Sequence, residues 1–409
     1  MTETTTRISP AELDRLNLAD PRLHAETDLS EVWRQLRTDD PVHWNPAIGS
    51  APGFWVVTTH ADVVEVYRDT TRFTSENGNV LETLLRGGDS AGGRMLAITD
   101  GHRHAELRRA LLPAFTVKAL EPVARSVRRA TRDLIGRAVE AGTCDFAGDV
   151  AARIPLGAIC DLLGVPEPDR MRVLALTSSA LSSEHADNTA GDSWIAKNEI
   201  LLYFADLART RRDSGHFDVI SLLAAGKVDG ACLDEDEVIL NCYSLLLGGD
   251  ETTRLAMIGG VAALLAHPDQ WQALQRGEVD VDVAVEEILR WTTPGLHGGR
   301  TVTVDTKIEG RRISAGDIVT VWNCSANRDE RVFARPDRLL LDRTPNRHLT
   351  FAHGPHFCLG AHLARIELGA VLAELRDQVA EMAQTAPARP IYSNFLRGLS
   401  TLPVAFTPR

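Results

Sequence analysis

The chain has 409 residues, enough to bury a core that encloses a large ligand, and a formal net charge of -12. An acidic chain lacks the basic surface that nucleic acids and anionic membranes attract, which argues against both as main partners. Its six cysteines show no zinc-finger spacing, its first residues are polar, and no apolar stretch reaches the roughly 20 residues that span a bilayer. These features predict a cytoplasmic protein with reduced thiols.

Predicted elements in the first half of the chain are mostly helical. Residues 11–39 and 59–67 favour helices, and the aromatic and β-branched residues 54–58 favour a strand. Residues 74–98 are rich in Gly, Asn and Ser and indicate a long loop, whereas 100–220 are mainly helical. No linker or repeat divides the chain, so we expect one domain over residues 1–409, with no fused reductase domain.

The longest predicted helix covers about residues 234–266. It ends at His267 and Pro268, because proline cannot continue the hydrogen-bond ladder. Its middle is apolar on nearly every side, so we expect it to be buried. Beyond it, the pattern predicts a helix at 281–291, strands at 301–304 and 317–322, and a last helix at about 359–379.

Two adjacent glycines, Gly248 and Gly249, interrupt the buried helix, where each costs about 1 kcal/mol relative to alanine. Thr252 can donate a hydrogen bond to the carbonyl of Gly248 and bend the helix. The missing side chains would leave a groove for a flat ligand or a small gas molecule. The simpler alternative is a threonine that only satisfies its own backbone.

A single thiol, Cys358, lies between glycines in the stretch Phe-Ala-His-Gly-Pro-His-Phe-Cys-Leu-Gly at residues 351–360, directly before a helix-forming run. A thiol at a helix N-terminus faces the positive end of the helix dipole, which favours the thiolate that binds metals. We therefore expect a metal-binding thiolate at Cys358, whereas the other five cysteines indicate ordinary buried thiols.

These motifs together resemble those of the cytochrome P450 superfamily. The pattern FxxGxxxCxG at 351–360 resembles its haem-ligand loop, residues 248–252 resemble its [A/G]Gx[D/E]T helix motif, and Glu287 with Arg290 resembles its ExxR signature. The resemblance spans roughly residues 30–405 in the expected order. It implies a mainly α fold with a small β lobe, in which haem lies between the central helix (about 234–266) and the cysteine loop and helix (about 351–376).

The resemblance also implies a role for individual residues. Cys358 would be the iron ligand, Glu251 and Thr252 would deliver protons, and Glu287, Arg290 and Arg343 would form a structural triad. The remaining haem-binding positions are His104, Arg108, Arg300, His356, Phe351, Gly354 and Gly360. The implied substrate-pocket positions are Leu245, Gly248, Gly249, Gly295, Leu296, His297, Phe395 and Leu396. His297 could equally contact the substrate or act as a second donor near a haem carboxylate.

Three residues depart from the usual pattern of the superfamily. Ala352 stands where glycine is usual, which would stiffen the ligand loop, and Glu330 replaces a common proline. Gly295 stands where a bulkier aliphatic residue is frequent, which would leave room above the haem. None of these changes removes a residue that the chemistry needs.

The function implied is that of a haem b monooxygenase that uses O2 to hydroxylate or otherwise oxidise a small organic substrate. The chain resembles soluble actinobacterial enzymes of secondary metabolism. Electrons from NAD(P)H would come through a separate ferredoxin and ferredoxin reductase, because no GxGxxG nucleotide fingerprint is present. Arginine clusters at 103–109 and 125–129 could be a docking patch for an acidic redox protein or simply solvated helix faces. Alternatives are a peroxide-using or non-redox enzyme of the same fold, and a non-catalytic haem protein that senses gas.

Overall fold

A computed structural model of the chain describes residues 8–13, 15–47, 49, 51–181, 190–211, 218–228 and 230–409. Helices account for 55% of it, which confirms the mainly α fold with small sheets. In chain order the α-helices are α1 (Pro10–Leu13), α2 (Pro21–Glu26), α3 (Ser30–Asp39), α4 (His60–Arg68), α5 (Leu81–Leu85), α6 (Gly101–Leu111), α7 (Val117–Ala141), α8 (Arg153–Leu163), α9 (Arg170–Leu181), α10 (Ala190–Arg211), α11 (Val219–Ala225), α12 (Glu235–Ala266), α13 (Pro268–Gln275), α14 (Val281–Thr292), α15 (Asn323–Ala326) and α16 (Ala361–Gln378).

The strands form one five-stranded sheet and several smaller ones. In chain order they are β1 (Val42–Asn45), β2 (Phe54–Val57), β3 (Phe73–Thr74), β4 (Thr143–Asp145), β5 (Lys227–Val228), β6 (Ala231–Cys232), β7 (His297–Val302), β8 (Thr306–Ile308), β9 (Arg311–Ile313), β10 (Ile318–Trp322), β11 (Val379–Gln384), β12 (Arg389–Pro390), β13 (Leu399–Thr401) and β14 (Pro403–Pro408). The large sheet has the order β1-β2-β10-β7-β3, and only β2 and β10 pair in parallel within it.

The long central helix predicted at 234–266 is confirmed as α12. Asp234 and Glu237 form a reciprocal capping box at its start, in which each side chain accepts a hydrogen bond from the other residue's backbone N–H. The helix ends where His267 and Pro268 follow. It packs against α8, α10, α14 and α16, so its apolar middle lies inside the largest hydrophobic core. The functional residues of α12 are therefore held on a rigid element at the centre of the molecule.

The strand that the sequence predicts at 301–304 starts earlier in the structure, where β7 begins at His297. Gly298 and Gly299 are poor strand formers, but both lie where a neighbour approaches closely. A Cβ at Gly298 would come within 2.7 Å of the Tyr67 hydroxyl, and one at Gly299 within 2.6 Å of the Leu84 side chain. Close packing against α4 and α5 therefore explains a strand that propensity alone does not predict.

Residues 74–98, predicted to be a long loop, contain a short helix as well as turns. Helix α5 within this segment buries Leu81 and Leu84 against the large sheet, next to Phe54 and Leu296. The sequence did not predict this helix, because the Gly and Asn residues around the two leucines are typical of loops. The two leucines consequently hold the segment in place over the region between β7 and α12.

Candidate active site

A cavity of about 350 Å³ lies between α12, the loop at 351–360 and the start of β7. Most residues predicted from the sequence to bind haem or substrate line it: Leu245, Gly248, Gly249, Thr252, Gly295, His297, Phe395, His104, Arg108, Arg300, His356, Phe351, Cys358 and Gly360. The fold thus brings together positions that are more than 290 residues apart in the chain. Three residues that were predicted to bind haem or substrate do not line the cavity. Glu251, which was predicted to deliver protons, does not line it either.

The three that lie elsewhere are Gly354, Leu296 and Leu396. Gly354 has φ +69°, and a Cβ there would come within 2.7 Å of the Tyr67 carbonyl oxygen, so its glycine permits contact with α4 rather than with a cofactor. Leu296 packs behind the sheet with Trp322, and Leu396 packs with Leu255. These two leucines neighbour Gly295 and Phe395, which do line the cavity, and their own side chains are buried in the core clusters.

The two glycines of α12 have different roles. A Cβ at Gly248 would have no heavy atom within 4 Å, so this residue opens into the cavity as predicted. A Cβ at Gly249 would come within 2.9 Å of Ile159, so this glycine also permits close packing of α8. The predicted hydrogen bond from the Thr252 hydroxyl to the Gly248 carbonyl is confirmed, at 2.9 Å.

Cys358 lies on the opposite side of the cavity, where its backbone N–H donates to the Phe351 carbonyl at 2.9 Å. Burial raises the pKa of the Cys358 thiol, while the Gly360 N–H and the guanidinium groups of Arg108 and Arg365 act to lower it. The donors at the start of the helix thus act in the direction that the sequence predicts, but burial opposes them. A cation bound at the sulfur is what would make the thiolate the favoured form.

Buried nitrogen donors without partners line one end of the cavity. His104 Nε2 and Arg300 Nε are buried and have no hydrogen-bond partner among the described residues, and Arg300 Nη1 donates to the Gly299 carbonyl at 2.7 Å. Burial is the main cause that lowers the pKa of His104, to about 4, and it also lowers the pKa of Arg300. Unpaired donors of this kind fit a ligand with carboxylates, which the two propionates of haem would supply.

His356 is held in place by an acid that the sequence did not single out. Its Nε2 donates to Asp100 Oδ1 at 2.7 Å, and its ring lies 4.3 Å from that of His104. Asp100 also accepts hydrogen bonds from Thr74 and Ser75. Burial acts to raise the pKa of Asp100, but the hydrogen bonds from His356, Thr74 and Ser75 outweigh it and lower this pKa to about 2. The result is an ordered pair of imidazoles beside Arg300.

His297 is buried, and within the described part of the chain neither of its ring nitrogens has a hydrogen-bond partner. Its ring lies 4.9 Å from that of Trp322 and 5.5 Å from that of Phe395, and burial lowers its pKa to about 3. Side chains alternate along a strand, so His297 and Arg300 point to opposite faces of β7. This orientation favours a neutral imidazole near the substrate over a second donor for a haem carboxylate.

Three carboxyl groups lie around the glycines of α12. Glu251 is ion-paired with Arg254, with Oε1 2.5 Å from Nη2, and both side chains are buried. Asp250 and Glu367 are equally buried, and each has one oxygen that no described residue contacts by a hydrogen bond. Sequence reasoning missed both. Asp250 occupies the variable position of its motif. Glu367 is a single acid in a predicted helix, which by itself does not indicate a function.

The predicted triad is a closed network in which Glu287 accepts from both Arg290 and Arg343, at 2.7 and 2.9 Å between Nε and Oε2. The remaining guanidinium nitrogens donate to backbone carbonyls of residues 327 and 334–338. Because those carbonyls belong to the segment that leads to the cysteine loop, the network fixes the loop's approach to the cavity.

Comparison with known proteins agrees with this geometry. The family model for cytochrome P450 matches residues 195–376. Cytochrome P450 NovI of Streptomyces niveus is 52% identical over 400 residues, which cover 98% of each chain. The chain belongs to the cytochrome P450 family. A steroid C26-monooxygenase of Mycolicibacterium smegmatis is 34% identical, with 96% of each chain covered.

A solved cytochrome P450 has the same fold. The crystal structure of P450 OxyD, described as involved in the biosynthesis of vancomycin-type antibiotics, superimposes with a TM-score of 0.87 at 37% identity and covers 96% of this chain and 100% of OxyD. The protein is therefore a cytochrome P450 monooxygenase, an oxidoreductase that uses haem and O2. In the described part of the chain, no helix is long and apolar enough to cross a membrane.

Proposed function

We propose that the enzyme oxidises a small, largely apolar molecule in secondary metabolism, by hydroxylation or a related oxidation. The single observation that carries the proposal is one cavity that has Cys358 on one side and Gly248 with Thr252 on the other. OxyD, which shares the fold, is described as taking part in antibiotic biosynthesis, and this supports the metabolic setting.

In this proposal the cysteine side of the cavity binds the cofactor. The Cys358 sulfur binds the haem iron, the Gly360 N–H stabilises the sulfur, and His104, Arg108, Arg300 and His356 bind the haem carboxylates. When bound, haem supplies the iron chemistry that cleaves the O–O bond, and thiolate ligation favours that cleavage. The residues of the chain supply orientation, protons and exclusion of water.

The α12 side of the cavity receives O2 and protons. Gly248 leaves space beside the helix, and Thr252 holds its hydroxyl at the edge of that space while it donates to the Gly248 carbonyl. Glu251 is the acid that precedes it in the motif. Because Arg254 engages both oxygens of Glu251, a proton can pass through this carboxylate only if the ion pair loosens.

The substrate side of the cavity combines apolar walls with neutral polar groups. Leu245, Gly295 and Phe395 line it, together with the uncharged polar residues Asn79, Asn241 and Ser244. A Cβ at Gly295 would meet no atom within 4 Å, which is consistent with extra room at this position. Such a lining favours the part of a substrate that is uncharged and carries few hydrogen-bonding groups.

Electrons are proposed to come from NAD(P)H through a separate ferredoxin and its reductase. The enzyme is proposed to be cytoplasmic and to act as one domain over residues 1–409. Phe357, beside the ligand Cys358, is 41% exposed and would contact the partner. Arg109, Arg125 and Arg128 pair with acids on their own helices, which fits solvated helix faces better than a docking patch.

Reconstitution with isotopic oxygen tests the proposed function. Compounds that shift the haem spectrum of the purified protein would be incubated with a ferredoxin, its reductase, NADPH and ¹⁸O2. The expected result is a product that contains one ¹⁸O atom. Product formed with hydrogen peroxide alone, but never with the electron-transfer proteins, would instead identify a peroxide-using enzyme. Ligand binding without oxidation under either condition would contradict the monooxygenase assignment.

A further inference from the structure

Glu286 lies next to the triad residue Glu287 on α14, but its side chain makes a separate set of contacts. Arg365 of α16 engages both of its oxygens, with Nε donating to Oε1 at 2.6 Å and Nη2 donating to Oε2 at 3.0 Å. Burial acts to raise the pKa of Glu286, but the hydrogen bonds from His348 and Arg365 outweigh it and lower this pKa to about 2. A bidentate pair of this kind fixes the plane and the position of a guanidinium group.

His348 holds the same carboxylate from a second direction. The Thr350 backbone N–H donates to His348 Nδ1 at 3.3 Å, so this nitrogen is the acceptor and the ring proton is on Nε2. His348 Nε2 then donates to Glu286 Oε2 at 3.2 Å, and the imidazole is buried. Since Glu286 is held by a buried ring, the guanidinium group that it binds has one well-defined position.

The guanidinium group of Arg365 lies against the cysteine loop. Its Cζ is 4.6 Å from the centre of the Phe351 ring, and its Nη1 donates to the Ala361 carbonyl at 3.3 Å. Both of these residues bond directly to the backbone of Cys358: the Cys358 N–H donates to the Phe351 carbonyl at 2.9 Å, and the Cys358 carbonyl accepts from the Ala361 N–H at 3.4 Å. A fixed positive charge is therefore one residue away from Cys358 on two sides.

The charge of Arg365 acts on the Cys358 sulfur without entering the haem cavity. Burial raises the pKa of the Cys358 thiol, and Arg365 is one of the charges that oppose this effect, together with Arg108. Arg108 lines the cavity, where a haem carboxylate would neutralise it, whereas Arg365 is outside the lining. The Arg365 side chain is 34% exposed, so solvent screens its charge in part and its effect on the sulfur is moderate.

We propose that Arg365, positioned by Glu286 and His348, raises the reduction potential of the haem through its charge beside the Cys358 sulfur. This proposal rests on haem binding by Cys358, as in the proposed function, and adds a positioning residue that acts on the iron through its ligand. The step concerned is the transfer of one electron from an external donor, such as a reduced ferredoxin, to the ferric iron, in which no covalent bond forms or breaks. It makes the haem and its sulfur ligand one unit more negative, and a nearby cation stabilises the more negative state.

A redox titration of the holoprotein tests the proposal with two variants of similar length. Arg365→Met keeps an apolar stem against Phe351 but removes the charge, so reduction should become about three- to tenfold less favourable, where tenfold equals about 59 mV for one electron. Arg365→Lys also loses the bidentate contact but keeps the charge, so it should retain most of the wild-type potential. Arg376→Gln is the control and should leave the potential unchanged, because Arg376 is a similarly exposed arginine at the far end of α16 that pairs with Asp377.

The carbon monoxide complex of the reduced protein provides a second readout. A sulfur that donates more electron density to the iron strengthens back-donation to carbon monoxide and lowers the C–O stretching frequency. Arg365→Met should therefore lower this frequency in the infrared spectrum, whereas Arg365→Lys and Arg376→Gln should not. A purely structural role would change Arg365→Met and Arg365→Lys alike, because both variants lose the bidentate contact with Glu286.

The outcomes separate this proposal from the proposed function. If the reduced, carbon monoxide-bound wild type lacks the long-wavelength band of thiolate-ligated haem, both are wrong. If the wild type has the band but Arg365→Met matches it in potential and C–O frequency, only the role of Arg365 is refuted. Equal shifts in Arg365→Met and Arg365→Lys would also refute it, since geometry and not charge would then be responsible. Should Arg365→Met fail to retain haem, Arg365→Gln takes its place in both measurements.

Discussion

Glu287, behind the cysteine loop, and the acids around the α12 glycines are equally buried, but they differ in whether arginines pair with them. Glu287 accepts from two arginines, whose other donors are occupied by backbone carbonyls. Of the three acids around the α12 glycines, Glu251 has such a partner, whereas Asp250 Oδ1 and Glu367 Oε2 have no hydrogen-bond partner among the described residues. The network around Glu287 is therefore closed and fully paired, whereas the acids around the α12 glycines form an open cluster that is only partly paired.

This difference separates rigidity from proton chemistry. A buried acid locked between two guanidinium groups has no proton to give and serves to fix the backbone it holds. Burial without a cation raises the pKa of an acid, as it does for Asp250 and Glu367, so that the acid can gain or lose a proton closer to neutral pH. Substitutions in the closed network should therefore affect stability and cofactor retention, whereas substitutions in the open cluster should affect how efficiently reductant is used.

The largest effect is expected when the closed network is broken. Glu287→Gln leaves Arg290 and Arg343 as buried cations without an anion, which should cost about 3–5 kcal/mol of unfolding free energy. Denaturant unfolding of the holoprotein measures this. Glu31→Gln is the control, since Glu31 pairs only with Arg34 on the surface, and it should cost less than about 1 kcal/mol. Equal small losses in both would show that the network is not structural.

A smaller effect is expected at the cavity end that lies between the two regions. Arg300→Gln removes a buried donor whose Nε has no partner among the residues that the structure describes, and a lost charged hydrogen bond costs about 1.5–3 kcal/mol. Haem should then transfer to a scavenging globin roughly 10–100 times faster. Arg312→Gln, on an exposed strand position, should leave the transfer rate unchanged. An unchanged rate in Arg300→Gln would exclude a role in haem binding.

A still smaller effect is expected at Thr252, where stability should be unaffected but coupling should fall. Thr252→Ala should still consume reductant yet convert about a tenth as much of it into product, with the rest appearing as hydrogen peroxide. Thr292→Ala is matched to it, because Thr292 also donates to a carbonyl four residues back, at 2.8 Å, but lies outside the cavity. Wild-type coupling in Thr252→Ala would remove this hydroxyl from proton delivery.

The smallest effect is expected from relieving strain in the ligand loop. Ala352 has φ +58°, a conformation that suits glycine better than alanine. Ala352→Gly should raise the unfolding free energy by roughly 0.5–1 kcal/mol, whereas Ala273→Gly within helix α13 should lower it by a similar amount. A loss of stability in Ala352→Gly would mean that the loop does not strain this residue.

The sequence predicted the elements that have their own local signals. Helix α12 was predicted to within a residue because its middle is apolar and Pro268 follows it, and Cys358 was found because four fixed positions of its loop match a known pattern. The start of β7 was missed because Gly298 and Gly299 are explained only by Tyr67 and Leu84, which are distant in the chain.

The limits of the site prediction have the same physical origin. Adjacent positions at Gly295–Leu296 and Phe395–Leu396 looked alike in sequence, yet in each pair only the first lines the cavity. The Glu251–Arg254 pair is an i,i+3 contact within α12, whereas the surroundings of Asp250 and Glu367 depend on how α9 and α16 pack against α12. Likewise, the pKa of Cys358 is set mainly by burial, which a helix-terminus argument does not contain.

Replacement of Cys358 tests most directly whether this sulfur binds the haem iron. The reduced, carbon monoxide-bound wild type should show the long-wavelength absorption band of thiolate-ligated haem, and Cys358→Ser should bind haem without that band. Cys324→Ser, a buried cysteine outside the cavity, should retain it. If Cys358→Ser keeps the band, another residue is the ligand and the proposed orientation of haem between Cys358 and α12 is wrong.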